Sequence, residues 1–171
     1  MNYASIRKCD IANGDGVRVS LFVSGCRHHC KGCFNEEAQA FDYGQPFTDA
    51  IEEEILRALE PDFIAGLTLL GGEPLEPENQ TALLPFLRCV RERFGKRKTI
   101  WVYTGCVLDL EKRVLQPFAY NVEGVTKELL NMIDVVVDGP FIEAQKDISL
   151  KFRGSSNQRI LKLSAHKSAE I

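Results

Sequence analysis

The chain has 171 residues and a mass of 19.2 kDa, enough for one ordinary domain with a real core but not for two. Hydrophobic residues make up 44% and charged residues 26%, a globular composition that excludes a disordered or fibrous chain. With 21 basic against 24 acidic side chains and a net charge of −3, the composition sets up no broad electropositive surface and speaks against nucleic-acid binding.

Residues 17–23 alternate apolar and polar side chains, turn more apolar and stop at Ser24-Gly25, the pattern of a strand that runs into a cysteine-rich loop. Thr48 and Asp49 can cap a helix through about Leu59, with Glu52 near its positive end and Pro61 closing it. Leu67-Thr68-Leu69-Leu70 is a short buried-type strand cut by Gly71-Gly72. Leu83, Leu87, Val90 and Phe94 share one helical stripe that Gly95 ends, and Pro85 predicts that the helix either kinks or begins there. Thr99-Ile100-Trp101-Val102-Tyr103 is the next strand. Shorter helices are expected at 108–115 and 125–132, a strand at 134–137 leaving through Asp138-Gly139-Pro140, and a last strand at 159–163. Strands alternating with helices predict an α/β fold with a mainly parallel sheet, in a single domain over 1–171 whose tail beyond about 160 has no assigned role. Ligands of such sheets collect at the carboxyl ends of the strands. Here those exits carry Ser24-Gly25-Cys26, Gly71-Gly72-Glu73-Pro74, Tyr103-Thr104-Gly105-Cys106 and Asp138-Gly139-Pro140.

The apolar runs are far too short to span a bilayer, and Met1-Asn2-Tyr3-Ala4-Ser5-Ile6 lacks the basic-then-apolar pattern of a signal peptide, so a cytoplasmic protein is expected. In a reducing compartment, clustered thiols hold metal or do redox work more often than they form disulfides. Three of the six cysteines form the C-x3-C-x2-C array Cys26-Arg27-His28-His29-Cys30-Lys31-Gly32-Cys33. Three thiolates on one tight loop can hold three corners of a 4Fe-4S cluster and leave the fourth iron open to a small molecule. A structural zinc knot, with His28, His29 or Cys9 as fourth ligand, and an electron carrier are the other readings. In Gly71-Gly72-Glu73-Pro74 the glycines permit close approach of a ligand to bare backbone, and Glu73 offers a carboxylate to an ammonium group. A plain strand-to-helix turn is the alternative there.

Taken together, the cysteine array after one strand and G-G-E-P after the next resemble the radical S-adenosylmethionine superfamily. Further segments resemble one branch of it closely: Asn13-Gly14-Asp15-Gly16-Val17-Arg18, Leu21-Phe22-Val23-Ser24-Gly25-Cys26, Gly32-Cys33-Phe34-Asn35, Gly44-Gln45-Pro46-Phe47-Thr48, Trp101-Val102-Tyr103-Thr104-Gly105, Val137-Asp138-Gly139 and Arg153-Gly154-Ser155-Ser156-Asn157-Gln158. That branch comprises the activating proteins of the anaerobic ribonucleoside-triphosphate reductase, and the likeness runs from about residue 2 to about residue 160. Gly32 stands where many superfamily members have an aromatic residue, which follows here as Phe34; this favours the branch over the activases of pyruvate formate-lyase. The stretch 116–128 and the tail fit less well.

The resemblance implies an incomplete radical-SAM β/α barrel, since a chain of this size can hardly close the eightfold one, with an open side for a loop of another protein. It implies that Cys26, Cys30 and Cys33 hold one 4Fe-4S cluster, and that S-adenosylmethionine binds the open iron. Gly71, Gly72, Glu73 and Pro74 would lie against its amino group, Gly32, Cys33 and Phe34 would line its adenine side, and Tyr103 and Asp138 would complete the cofactor site. Asp138 either reaches the ribose or caps its turn. Reductive cleavage would give methionine and a 5′-deoxyadenosyl radical, which takes hydrogen from a glycine of the large reductase subunit, making the chain a radical SAM oxidoreductase. A flavodoxin or ferredoxin would supply the electron. An activase for another glycyl-radical enzyme, or a non-catalytic iron–sulfur or zinc protein, are the alternatives. Arg153 is expected in docking or cofactor contact. Cys106 reads as a packing residue, and Cys9, Cys89, His28, His29 and His166 receive no role.

Overall fold

The computed structural model describes residues 1–163, so His166 lies outside the described residues. In chain order the elements are β1 (Asn2–Asp10), β2 (Val17–Val23), β3 (Gln45–Pro46), α1 (Asp49–Leu59), β4 (Ile64–Gly71), α2 (Pro77–Phe94), β5 (Thr99–Tyr103), β6 (Val107–Asp109), β7 (Val114–Gln116), α3 (Thr126–Met132), β8 (Val135–Asp138) and β9 (Arg159–Lys162). Seven strands form one sheet in the order β3-β1-β2-β4-β5-β8-β9. Its four central strands, β2, β4, β5 and β8, run parallel, while β1, β3 and β9 pair antiparallel at the edges.

The ladder sets the two faces. Leu21, Leu69, Val102 and Val136 stand in register. They share one buried cluster with Ile55 and Leu59 of α1, Leu83, Leu87, Val90 and Phe94 of α2, and Leu129 and Leu130 of α3. Period-2 alternation sends their neighbours Ser20, Thr68, Trp101 and Val135 to the opposite face. That face is packed by Phe152, whose ring meets Trp101 edge-on at 5.5 Å, rather than by a helix. The helices therefore cover one face of the sheet, and the segment 139–158 covers part of the other. Among the described residues no helix is long and apolar enough to cross a membrane.

Three local expectations change. The stretch 108–115 is the hairpin β6–β7, not a helix. Leu108 and Leu115, seven apart and helical in spacing, are direct cross-strand partners with both side chains buried. α2 begins at Pro77, not at Pro85, because the earlier proline has its fixed φ at the first helical position, where its missing N–H costs nothing. Pro85 sits inside the helix. Finally, β1 precedes the first expected strand. Its pairing with β2 shifts register twice and its side chains are mostly half-buried or exposed, so no clean alternation marks it.

Candidate functional site

β2 ends at Val23, and the chain turns into the cysteine loop under backbone control: Gly25 N–H donates to Ala38 O (2.8 Å) and Cys26 N–H to Gln39 O (3.0 Å). Cys26, Cys30 and Cys33 are free and half-buried, Cys106 is free and buried, and Cys9 and Cys89 are free and exposed. One cavity of about 790 Å³ touches all three loop thiols. Its walls are the exits of β4 (Gly71, Gly72, Glu73) and β5 (Tyr103, Thr104, Gly105), together with the 139–158 segment. Gly72 has a steric reason: a Cβ there would stand 2.6 Å from Gly25 O and 2.7 Å from Ala38 O, so only glycine lets the β4 exit pass the root of the cysteine loop.

Burial pushes the Cys26 thiol up to about 12 and the Cys30 thiol up as well. Backbone N–H groups of His28 and Phe141 oppose the rise by donating to the two sulfurs. Thiols in this setting lose their protons to a bound cation, whose charge replaces the missing solvation. Three unpaired thiols on one wall, met by backbone donors, fit an iron–sulfur cluster.

The sequence-derived residues divide. Gly32, Cys33, Phe34, Gly71, Gly72, Glu73 and Tyr103 all line the cavity with the cysteines. Phe34 is 90% exposed at its mouth. Tyr103 keeps its hydroxyl buried and, among the described residues, without a partner, and burial raises its pKa. Pro74 and Asp138 do not line the cavity. The Asp138 carboxylate accepts from Leu108 N–H (2.7 Å) and from Arg159 Nε (2.9 Å) and Nη2 (2.5 Å), which is the turn-capping alternative. Glu73 does not present a free carboxylate to an ammonium group. It is 1% exposed, and its oxygens already accept from Leu75 N–H (2.8 Å), Gly105 N–H (2.7 Å) and His28 Nε2 (2.9 Å).

Arg153 lines the cavity and donates to Gln158 O (2.9 Å), with its Nε lacking a partner. The rest of that motif stitches its own loop: Gln158 accepts from Gly154 N–H, and Asn157 donates to Pro140 O. Sequence reasoning missed the wall residues Phe141, Lys146 and Ile148. It also missed Glu76, buried at the start of α2, which accepts from Arg27 N–H (2.6 Å) and Arg27 Nη1 (2.5 Å) and so fastens the cysteine loop a second time. The spacing of Glu73 and Glu76, one turn apart, was the available signal.

A family model described as a 4Fe-4S single cluster domain matches residues 12–161, which sets the chain among iron–sulfur proteins of that kind. A protein of Haemophilus influenzae is 44% identical over 163 residues, covering 94% of this chain and 97% of its own. One of Escherichia coli K12 is 40% identical over 160 residues (92% and 96%), and one of phage T4 is 38% identical over 163 residues (94% and 93%). Each of these relatives is named anaerobic ribonucleoside-triphosphate reductase-activating protein. The chain belongs to that family.

Proposed function

We propose that this protein activates an anaerobic ribonucleoside-triphosphate reductase, with a 4Fe-4S cluster on Cys26, Cys30 and Cys33 and S-adenosylmethionine beside it. The observation that carries the reading is the single cavity in which three free thiols face the bare backbone of two strand exits. The sheet, helix-covered on one face and covered on the other by the segment 139–158 rather than by helices, supports an incomplete barrel whose inner side is this cavity.

Held on Cys26, Cys30 and Cys33, a cluster would supply the one electron for reductive cleavage of a sulfonium carbon–sulfur bond to methionine and a 5′-deoxyadenosyl radical, the chemistry by which a glycine Cα–H of the large reductase subunit would be converted to a glycyl radical. The chain's own residues do the holding. Cys26, Cys30 and Cys33 anchor the iron. Gly71 and Gly72 present backbone to the amino acid end of the cofactor, which leaves Glu73 to act through the fold. Tyr103 offers an unpartnered hydroxyl, and Phe34 an apolar face at the mouth. The open mouth suits a loop of a macromolecule. Flavodoxin or ferredoxin in the cytoplasm is the electron source in this reading.

The test is anaerobic. The protein is reconstituted with iron and sulfide, reduced, and its electron paramagnetic resonance spectrum recorded with and without S-adenosylmethionine. A four-iron signal that changes on addition, followed by a glycyl radical when the reductase is added, is expected. An intact cluster that responds to neither overturns the reading and leaves an electron carrier or structural metal protein.

A further inference from the structure

We infer that His28 is a positioning residue that locks the cysteine loop to the glycine-rich exit of β4, through Glu73, and so sets the cofactor-binding half of the site. The inference rests on the function proposed above.

His28 lies between Cys26 and Cys30, yet its side chain is turned inward and only 12% exposed. Its ring occupies a slot. On one side it stacks on Tyr120, with centroids 4.9 Å apart and planes within 4° of parallel. On the other lies the backbone of Gly105, where a Cβ would stand 2.6 Å from the imidazole Cδ2. The Tyr120 hydroxyl donates to Glu76 (3.2 Å), which fixes the stacking platform in turn. Held in this way, the ring can present only its far edge, and Nε2 meets Glu73 Oε2 at 2.9 Å. Because that oxygen is an acceptor, Nε2 carries the proton.

Glu73 is a node. Its carboxylate joins its own β4 exit to the β5 exit through Gly105 N–H (2.7 Å), holds Leu75 N–H (2.8 Å), and reaches the cysteine loop through His28, adding a side-chain tie to the backbone bonds from Gly72 N–H to Val23 O and Glu73 N–H to Gly25 O (both 2.8 Å). Buried carboxylates are costly unless each lone pair is met. Removing the imidazole leaves Glu73 Oε2 with Gly105 N–H and Oε1 with Leu75 N–H, so the buried carboxylate is short of one donor and loses its tie to the cysteine loop, beside the backbone of Gly71 and Gly72. The effect is therefore on cofactor geometry at the β4 side of the cavity, which the glycines and not the thiols form.

His28 Nε2, the Glu73 carboxylate and Cys106 Sγ also lie within 4.8 Å of one another, a set with the composition of a metal site. The hydrogen bonds already account for the cluster: Glu73 has three N–H partners, and Cys106 Sγ stands 3.8 Å from Nε2 in the same packing.

The experiment compares the reconstituted parent, His28→Ala and His28→Gln, the last of which keeps an N–H donor. Iron content, the melting temperature before reconstitution, and the S-adenosylmethionine dissociation constant from the cluster's spectral change are read on each. His28→Ala is expected to keep the parent's iron content and melt within a few degrees, but to bind S-adenosylmethionine about tenfold more weakly. His28→Gln is expected to recover most of that loss. Binding by His28→Ala within twofold of the parent overturns the inference, as does equal loss in both variants. Loss of iron in both would instead make the ring a ligand. One equivalent of zinc bound by the parent before reconstitution and lost in both His28→Ala and Cys106→Ala overturns it in favour of a metal site. Should the parent's own cluster ignore S-adenosylmethionine, it is the proposed function that fails, a result distinct from any of these.

Discussion

Arg18 offers the sharpest test of how the sheet is held together beneath the site. Its guanidinium is fully buried and, among the described residues, has no carboxylate partner. Instead it donates to Thr68 Oγ1 (2.7 Å), Leu67 O (2.8 Å), Thr99 O (2.9 Å), Thr99 Oγ1 (3.0 Å) and Asp15 O (3.0 Å), and it lies 5.3 Å from the Trp101 ring centre. It thereby ties β2 to β4 and β5 at the end of the sheet remote from the cavity. Burial lowers its pKa from 12.5 to about 10, a cost of about 3 kcal/mol for keeping the charge. Five hydrogen bonds from a cation, at about 1.5–3 kcal/mol each, exceed that cost. In Arg18→Met the two hydroxyls keep other partners, Asn13 O and Ala65 O, so the loss concentrates on the Leu67 and Thr99 carbonyls. Two orphaned buried carbonyls at about 1–3 kcal/mol each give an expected destabilisation of about 2–6 kcal/mol. For a chain of this length that is a fall in melting temperature of about 4–24 °C, read by circular dichroism on the reduced protein. A variant that melts within about 2 °C of the parent, or above it, would refute the reasoning by showing that desolvation cancels the bonds.

Asp134 accepts from Arg91 Nη2 (2.5 Å), Lys96 Nζ (2.8 Å) and Ile100 N–H (2.8 Å). Burial pushes its pKa up, but these donors outweigh it and hold the carboxyl below its usual 3.8. Its stabilising contribution is thus complete above the unfolded value near 4 and disappears as pH falls through the lower folded value. Asp134→Asn should cost about 3 kcal/mol at pH 7, with the gap to the parent constant from pH 8 to 5 and narrowing only below about pH 4; a gap that narrows above pH 5 contradicts this. Replacing Cys26, Cys30 or Cys33 by serine should drop reconstituted iron to background, whereas Cys9→Ser and Cys89→Ser, on exposed thiols, should match the parent in the same colorimetric assay. Asp138→Asn should melt several degrees lower through loss of Arg159 and Leu108 N–H, yet bind S-adenosylmethionine within about twofold of the parent. Weaker binding without a change in melting would return Asp138 to the ribose.

The parallel strands were legible because they are buried on both faces. Residues 67–70 and 99–103 read as continuous apolar runs, and their glycine-marked exits pointed to one rim. Edge elements were not. β1 carries Arg7, Lys8 and Cys9 outward and bulges twice, so its alternation is lost. The hairpin at 107–116 placed two leucines at a spacing that a helix and a hairpin produce equally, and distant side chains decide between them: the Asp138 carboxylate on Leu108 N–H and the Asn121 amide on both backbone groups of Leu115. At the site, the cysteines and glycines declared themselves by type and spacing. Glu73 was legible as important, but its direction was not, because whether a carboxylate faces a ligand or a neighbouring loop depends on donors that arrive from Leu75, Gly105 and His28.

The far wall of the cavity shows the same limit more strongly, and it explains why the limit exists. The segment 139–158 meets the cysteine loop through Phe141 N–H on the Cys30 sulfur, a Lys31–Glu143 pair at 3.4 Å, and the Glu143 carboxylate, which would stand 3.0 Å from a Cβ on Gly32. One of these three contacts is made by a backbone amide, which every residue but proline possesses, and another requires the absence of a side chain. Neither leaves a residue type for a motif to register. The Lys31–Glu143 pair is exposed at both ends, so its own contribution is small. What fixes the wall is therefore its internal bonding: Gln158 on Gly154 and Gly139, Asn157 on Pro140, and Ser156 N–H on Gln145 O. The polar run at 153–158 thus serves as the framework that holds an amide against the Cys30 sulfur, while Arg153, Gly154 and Gln158 also line the cavity.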